Sequence, residues 1–143
     1  MQLREVMTRN PEVVQPDATL EEAARKMDQL DIGPLPVCDG DRLVGLVTDR
    51  DITVRATSAG KDPRSTVIRE AMTQDLVYCY EDQDVKDAAR MMEDKQIRRL
   101  PILSREQRLV GIVSLGDIAT DTHDDRLSGR VLEEVSEPGK PDR

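Results

Sequence analysis

Large aromatic side chains are almost missing from this chain, which has no Phe, no Trp and only Tyr78 and Tyr80. Its core must therefore come from Val, Ile, Leu, Met and Ala, and the usual stacking platform for single-stranded nucleic acid is not available. Histidine is nearly absent as well. His123 lies in a polar segment with Asp121, Asp124 and Asp125, which suits a solvated loop better than a metal site, and no Cys/His cluster signals zinc. The only cysteines are Cys38, in an apolar strand run, and Cys79, between the tyrosines; both read as packed rather than reactive thiols. No apolar run approaches the roughly 18 residues of a membrane span, and no secretory signal is visible, so a cytoplasmic protein with reduced thiols is expected. Positive charge is outnumbered: a net charge of −8 repels polyanions and makes nucleic acid and anionic membranes poor partners. The chain also lacks a nucleophile–base pair, a metal cluster and a Gly-rich phosphate loop of the Walker type, so neither an enzyme nor a required cofactor is expected.

What is present is a doubled pattern. Leu43-Val44-Gly45-Leu46-Val47-Thr48-Asp49-Arg50-Asp51-Ile52 returns as Leu109-Val110-Gly111-Ile112-Val113-Ser114-Leu115-Gly116-Asp117-Ile118. Each copy is an apolar run of strand length that ends on a hydroxyl, with a carboxylate three residues later. That is a buried strand feeding a helix N-terminus, where free N–H groups suit a phosphate and the acid suits the hydroxyls of a ribose. The repeat extends further: Leu3 to Thr8 aligns with Ile68 to Thr73, Leu20 to Met27 with Val85 to Met92, and Leu35-Pro36-Val37 with Leu100-Pro101-Ile102. These matches share an offset of 65 residues (72 − 7 for the methionines), which becomes 66 at Gly45 and Gly111. One residue has therefore entered the polar turn between Leu103 and Leu109, where a structural repeat tolerates it.

Each copy reads as β-α-β-β-α. Leu3 to Met7 is a short helical lead-in, Glu12 to Gln15 an extended piece, and Thr19-Leu20-Glu21-Glu22 a capping box ahead of a helix with Leu20, Ala23, Ala24, Met27 and Leu30 inward. Leu35 to Cys38 and Arg42 to Thr48 form a hairpin around Asp39-Gly40-Asp41, followed by a helix over 49–56. Ser58 to Ser65 is the linker. In the second copy Leu76 to Tyr80 is the strand, Asp84 caps the helix, and Leu100 to Leu103 and Arg108 to Ser114 make the hairpin. Leu127, Val131 and Val135 share one face of a C-terminal helix that precedes a frayed tail. The expected organisation is thus repeat one over 1–60, repeat two over 61–125, and helix and tail over 126–143. Units of about 60 residues with so few large side chains need a shared interface.

In this register the chain resembles a tandem pair of cystathionine-β-synthase (CBS) domains, a Bateman module, over residues 1 to about 120. Val47-Thr48-Asp49-Arg50-Asp51-Ile52 is especially similar to small stand-alone bacterial members. The resemblance implies an α/β (α+β) fold of two repeats about a pseudo-twofold axis, homodimers joined through helices, and clefts for adenine nucleotides built from both repeats. By that resemblance one cleft takes Thr48, Arg50 and Asp51 with Leu76, Val77, Ile97, Arg98, Arg99 and Pro101. The other takes Ile112, Ser114 and Asp117 with Pro11, Val13, Ile32, Gly33, Pro34 and Pro36. Arg98 and Arg99 would grip phosphate, whereas Gly33-Pro34 offers no cation and one N–H fewer; the first cleft is therefore expected to bind phosphorylated ligands more tightly. The bland alternatives stay open. Thr48 and Ser114 also suit plain N-caps and the acids helix-dipole partners, each at about 1 kcal/mol, and the arginines a solvated pair. The functional expectation is a regulatory sensor of AMP, ADP, ATP or a related adenosyl ligand that acts on an unidentified effector protein. The alternative is a ligand-free scaffold that keeps only the fold.

Overall fold

A computed structural model describes residues 1–122; the expected C-terminal helix and the His123 segment lie outside the described residues. The chain divides into two compact units whose boundaries cross the repeats. Unit 1 holds Met1–Pro11 together with the chain from Val77 onward, and unit 2 holds Glu12–Leu76. Each unit therefore takes its lead-in segment from the other copy.

In unit 2, α1 (Leu20–Leu30) starts where the Glu22 N–H donates to the Thr19 hydroxyl at 3.2 Å, the expected cap. It stops at Asp31, which turns left-handed (φ 53°) while the Ile32 N–H returns to the Met27 carbonyl. Leu20, Ala23 and Met27 point inward, but Ala24 and Leu30 are exposed, contrary to expectation. β2 (Pro34–Asp39) and β3 (Arg42–Thr48) pair antiparallel with Leu35 opposite Val47, and Gly40 supplies the positive φ of the turn. The following helix, α2 (Asp49–Asp51), runs on as a π-helical stretch, Ile52–Thr57. Val14 makes a parallel bridge to Val37 rather than the fuller strand expected around it, and Thr73 bridges Leu46 on the far side of the hairpin.

Unit 1 repeats the plan. β1 (Thr8–Arg9), β4 (Cys79–Tyr80), β5 (Arg99–Leu103) and β6 (Leu109–Ser114) form a sheet in the order β1-β6-β5-β4, with only β4–β5 parallel. The fourth strand is shorter than expected: its pairing with β5 covers only Cys79 and Tyr80, and Leu76 is 42% exposed. α3 (Val85–Lys95) begins with the Asp84 N–H donating to the Asp87 carboxylate and ends on left-handed Gln96 (φ 54°). α4 (Leu115–Thr122) closes the described chain.

The exchanged lead-ins complete the two cores. Leu3, Val6 and Met7 join Ala88, Met92, Leu100, Ile102 and Val113 in unit 1, while Ile68, Ala71 and Met72 join Leu20, Met27, Leu35 and Val47 in unit 2. This packing explains the glycine in each Val-Gly motif. A Cβ on Gly45 would lie 2.7 Å from the Thr73 carbonyl oxygen, and one on Gly111 would lie 2.9 Å from that of Thr8. The crossing backbones leave no room for it. Cys38 and Cys79 are both buried, and desolvation pushes each thiol up to about 11, in keeping with packed cysteines.

Candidate functional site

Both doubled hydroxyl–acid motifs form the same reciprocal box. At the end of β3 the Asp51 N–H donates to Thr48 Oγ1 and the Thr48 N–H donates to Asp51 Oδ2, both at 3.0 Å. At the end of β6 the Asp117 N–H donates to Ser114 Oγ at 3.0 Å, and the Ser114 N–H donates to Asp117 Oδ2 at 2.9 Å. The N-cap alternative is thus real for both motifs, and it leaves further carboxylate valence to be accounted for.

Hairpin register fixes what stands beside each box. In unit 2 Pro34 is opposite Thr48, and the Asp49 N–H donates to the Gly33 carbonyl. In unit 1 Arg99 is opposite Ser114, and the Leu115 N–H donates to the Arg98 carbonyl. Each motif is therefore joined, within its unit, to the approach segment of its own repeat: Thr48 and Asp51 to Ile32, Gly33, Pro34 and Pro36, and Ser114 and Asp117 to Ile97, Arg98, Arg99 and Pro101.

The remaining candidates fall as follows. Arg50 is exposed over a shallow hollow lined by Asp49, Thr53 and Val54. Val13 is half-buried and its carbonyl accepts from Lys26 Nζ at 2.8 Å. Pro36 and Pro101 are buried in their strands, Ile112 is opposite Pro101, and Arg98 and Arg99 are exposed. Val77 and Ile97 pack against the unit 1 core, Ile32 against that of unit 2, and Leu76 ends unit 2 exposed. Tyr78 and Tyr80 meet edge-to-face at 5.6 Å, with the Arg105 guanidinium 4.1 Å above the Tyr80 ring. Arg105 also grips both oxygens of Asp82, a hydrogen-bonded pairing that holds the Asp82 carboxyl below the usual carboxylate range.

Two residues that sequence reasoning missed belong to this site. Thr73 Oγ1 donates to Asp51 Oδ2 at 3.4 Å, and Arg55 Nε lies 3.8 Å from Asp51 Oδ1. The i,i+4 spacing of Asp51 and Arg55 was the available signal.

The CBS domain family matches residues 3–56 and 68–122. The chain belongs to the CBS domain family. This CBS pair is 38% identical over 134 residues to the CBS domain-containing protein YhcV of Bacillus subtilis, covering 94% of each chain. Over 117 residues it is 40% identical to Hypoxic response protein 1 of Mycobacterium tuberculosis, covering 81% of each. The crystal structure of Hypoxic Response Protein I with two coordinated zinc ions aligns with a TM-score of 0.77 at 38% identity, covering 85% of this CBS pair and 98% of that chain. That of the CBS domain pair of protein MJ0100, in complex with 5′-methylthioadenosine and S-adenosyl-L-methionine, aligns with a TM-score of 0.74 at 27% identity, covering 86% and 96%. In this CBS pair no three His, Cys, Asp or Glu side chains converge as metal ligands among the described residues, and no described helix is long and apolar enough to cross a membrane.

Proposed function

We propose that this CBS pair is a non-catalytic sensor that binds an adenine nucleotide or a related adenosyl ligand and relays its presence to a partner protein. One observation carries the reading: in unit 1 an acid aligned by a hydroxyl cap stands one hairpin register from a pair of exposed arginines in an acidic protein. Asp117 accepts from ribose hydroxyls, the Arg98 and Arg99 forks take phosphate oxygens, and the half-buried Ile97 and Ile112 supply apolar surface for the base. The adenosyl ligands of the related MJ0100 pair support the ligand class. Homodimerisation through helices, cytoplasmic residence and an effector protein are parts of the same proposal.

The test is a thermal-shift panel with AMP, ADP, ATP, NAD and S-adenosylmethionine, together with nucleotide analysis of the purified protein. A ligand at about 100 times its Kd adds about 2.7 kcal/mol of stability. A flat panel and nucleotide-free protein would favour the alternative, a scaffold that keeps the fold without a ligand.

A further inference from the structure

The two acids that look alike in sequence are differently occupied. The Asp51 side chain is only 4% exposed, whereas Asp117 is half-buried. Asp51 Oδ2 accepts from the Thr48 N–H and from the Thr73 hydroxyl, and Oδ1 faces the Arg55 guanidinium. Arg55 is itself anchored, donating from Nη1 to the Met72 carbonyl at 3.2 Å. It therefore ties the π-helical stretch after α2 to the lead-in segment carrying Met72 and Thr73. Among the described residues, the Asp117 carboxylate accepts only the Ser114 N–H. At the 66-residue spacing that aligns Asp51 with Asp117, the residue aligned with Arg55 is Asp121, which cannot supply a cation.

We infer that Arg55 is a built-in latch that closes the Asp51 half, so that the chain takes one phosphorylated adenosyl ligand, held by Ser114, Asp117, Arg98 and Arg99. This rests on the sensor reading and goes beyond it in assigning occupancy. A ribose diol offers two O–H donors to a carboxylate and binds best where acceptor sites are open. At Asp51 it must displace both a hydroxyl and a guanidinium from a nearly buried group, and Gly33-Pro34 offers a phosphate no cation in return. The Asp117 carboxylate has neither a hydroxyl nor a guanidinium to shed among the described residues, and Arg99 stands opposite Ser114.

Calorimetric titration of the full chain with AMP tests this. The expected stoichiometry is one AMP per chain. Asp117→Asn weakens binding at least about tenfold, while Asp51→Asn changes it by less than about twofold. Arg55→Gln, which frees Asp51 Oδ1 while keeping a polar side chain, adds a second, weaker equivalent. Two equivalents in the wild type, or an Asp51→Asn loss equal to that of Asp117→Asn, overturns the latch while leaving the sensor standing. A thermal melt checks each variant; should Asp51→Asn fail to fold, Arg55→Gln decides, and a stoichiometry unchanged at one refutes the latch. Failure of the wild type to bind AMP, ATP or S-adenosylmethionine at all refutes the sensor reading itself.

Discussion

Gly45→Ala probes the crossing of the second lead-in over the first hairpin. The new methyl would lie 2.7 Å from the Thr73 carbonyl oxygen and 3.0 Å from the Met72 sulfur. A side-chain sulfur can swing aside, but a backbone carbonyl moves only with its strand. Thr73 is held there by two hydrogen bonds, Leu46 N–H to Thr73 O at 2.9 Å and Thr73 N–H to Leu46 O at 2.8 Å. Relieving the clash stretches both, at about 1 kcal/mol each, and overpacking adds about 1–3 kcal/mol. The expected loss is therefore about 3–5 kcal/mol, a large share of the stability of a small domain. Urea denaturation followed by circular dichroism gives the total. Native-state hydrogen exchange locates it, with the Leu46 and Thr73 amides exchanging at least about 100-fold faster. A loss under about 1 kcal/mol, or faster exchange spread evenly over both units, would show that the lead-in does not press on this glycine as described.

Other outcomes follow from the same contacts. Leu3→Ala, at a side chain fully buried in unit 1, should cost about 2–5 kcal/mol in a urea melt despite lying three residues from the start of the chain; Gly116→Ala, where the nearest neighbour is Ser114 Oγ at 3.5 Å, should be neutral or slightly stabilising. Thr48→Ala removes the cap of α2 and should cost about 1 kcal/mol, with Thr48→Ser restoring it. Cys38 and Cys79 are raised from 9.0 to about 11 in the folded chain, so folding favours the protonated thiols. Their contribution is whole below pH 9 and declines as the pH rises toward 11. The Cys38→Ala/Cys79→Ala variant should lose less stability over that window, and the native thiols should resist a disulfide reagent at pH 8 until urea is added.

Most of the fold was legible because the repeat checks itself. An apolar run ending in a hydroxyl, a three-residue step to an acid and a Leu-Pro strand each occur twice in register, and local signals such as Thr19 and Asp84 produced the helix starts found. What failed was tertiary. Ala24 lies four residues after buried Leu20, the spacing of one helix face, yet it is exposed while its counterpart Ala89 is buried. Leu76 is apolar but is the exposed last residue of unit 2, ahead of the pairing that starts at Cys79. The hairpin register was within reach: a hairpin from Leu35 to Thr48 already places Pro34 opposite Thr48, and the same register places Arg99 opposite Ser114. The Thr73–Asp51 contact could not be read that way, because it joins residues 22 apart whose meeting depends on the exchanged lead-in.

That exchange also bears on how the molecule comes to be assembled during translation. Residues 12–76 contain everything unit 2 needs and leave the ribosome as one uninterrupted stretch, whereas the first eleven residues must wait for the second hairpin to be made. The amino-terminal ammonium and its Asp84 partner are 83 positions apart, so the closing step of unit 1 is a long loop closure, intrinsically slower than the local pairing of unit 2. Nascent chains should therefore acquire protease resistance in the interior of the sequence before its beginning.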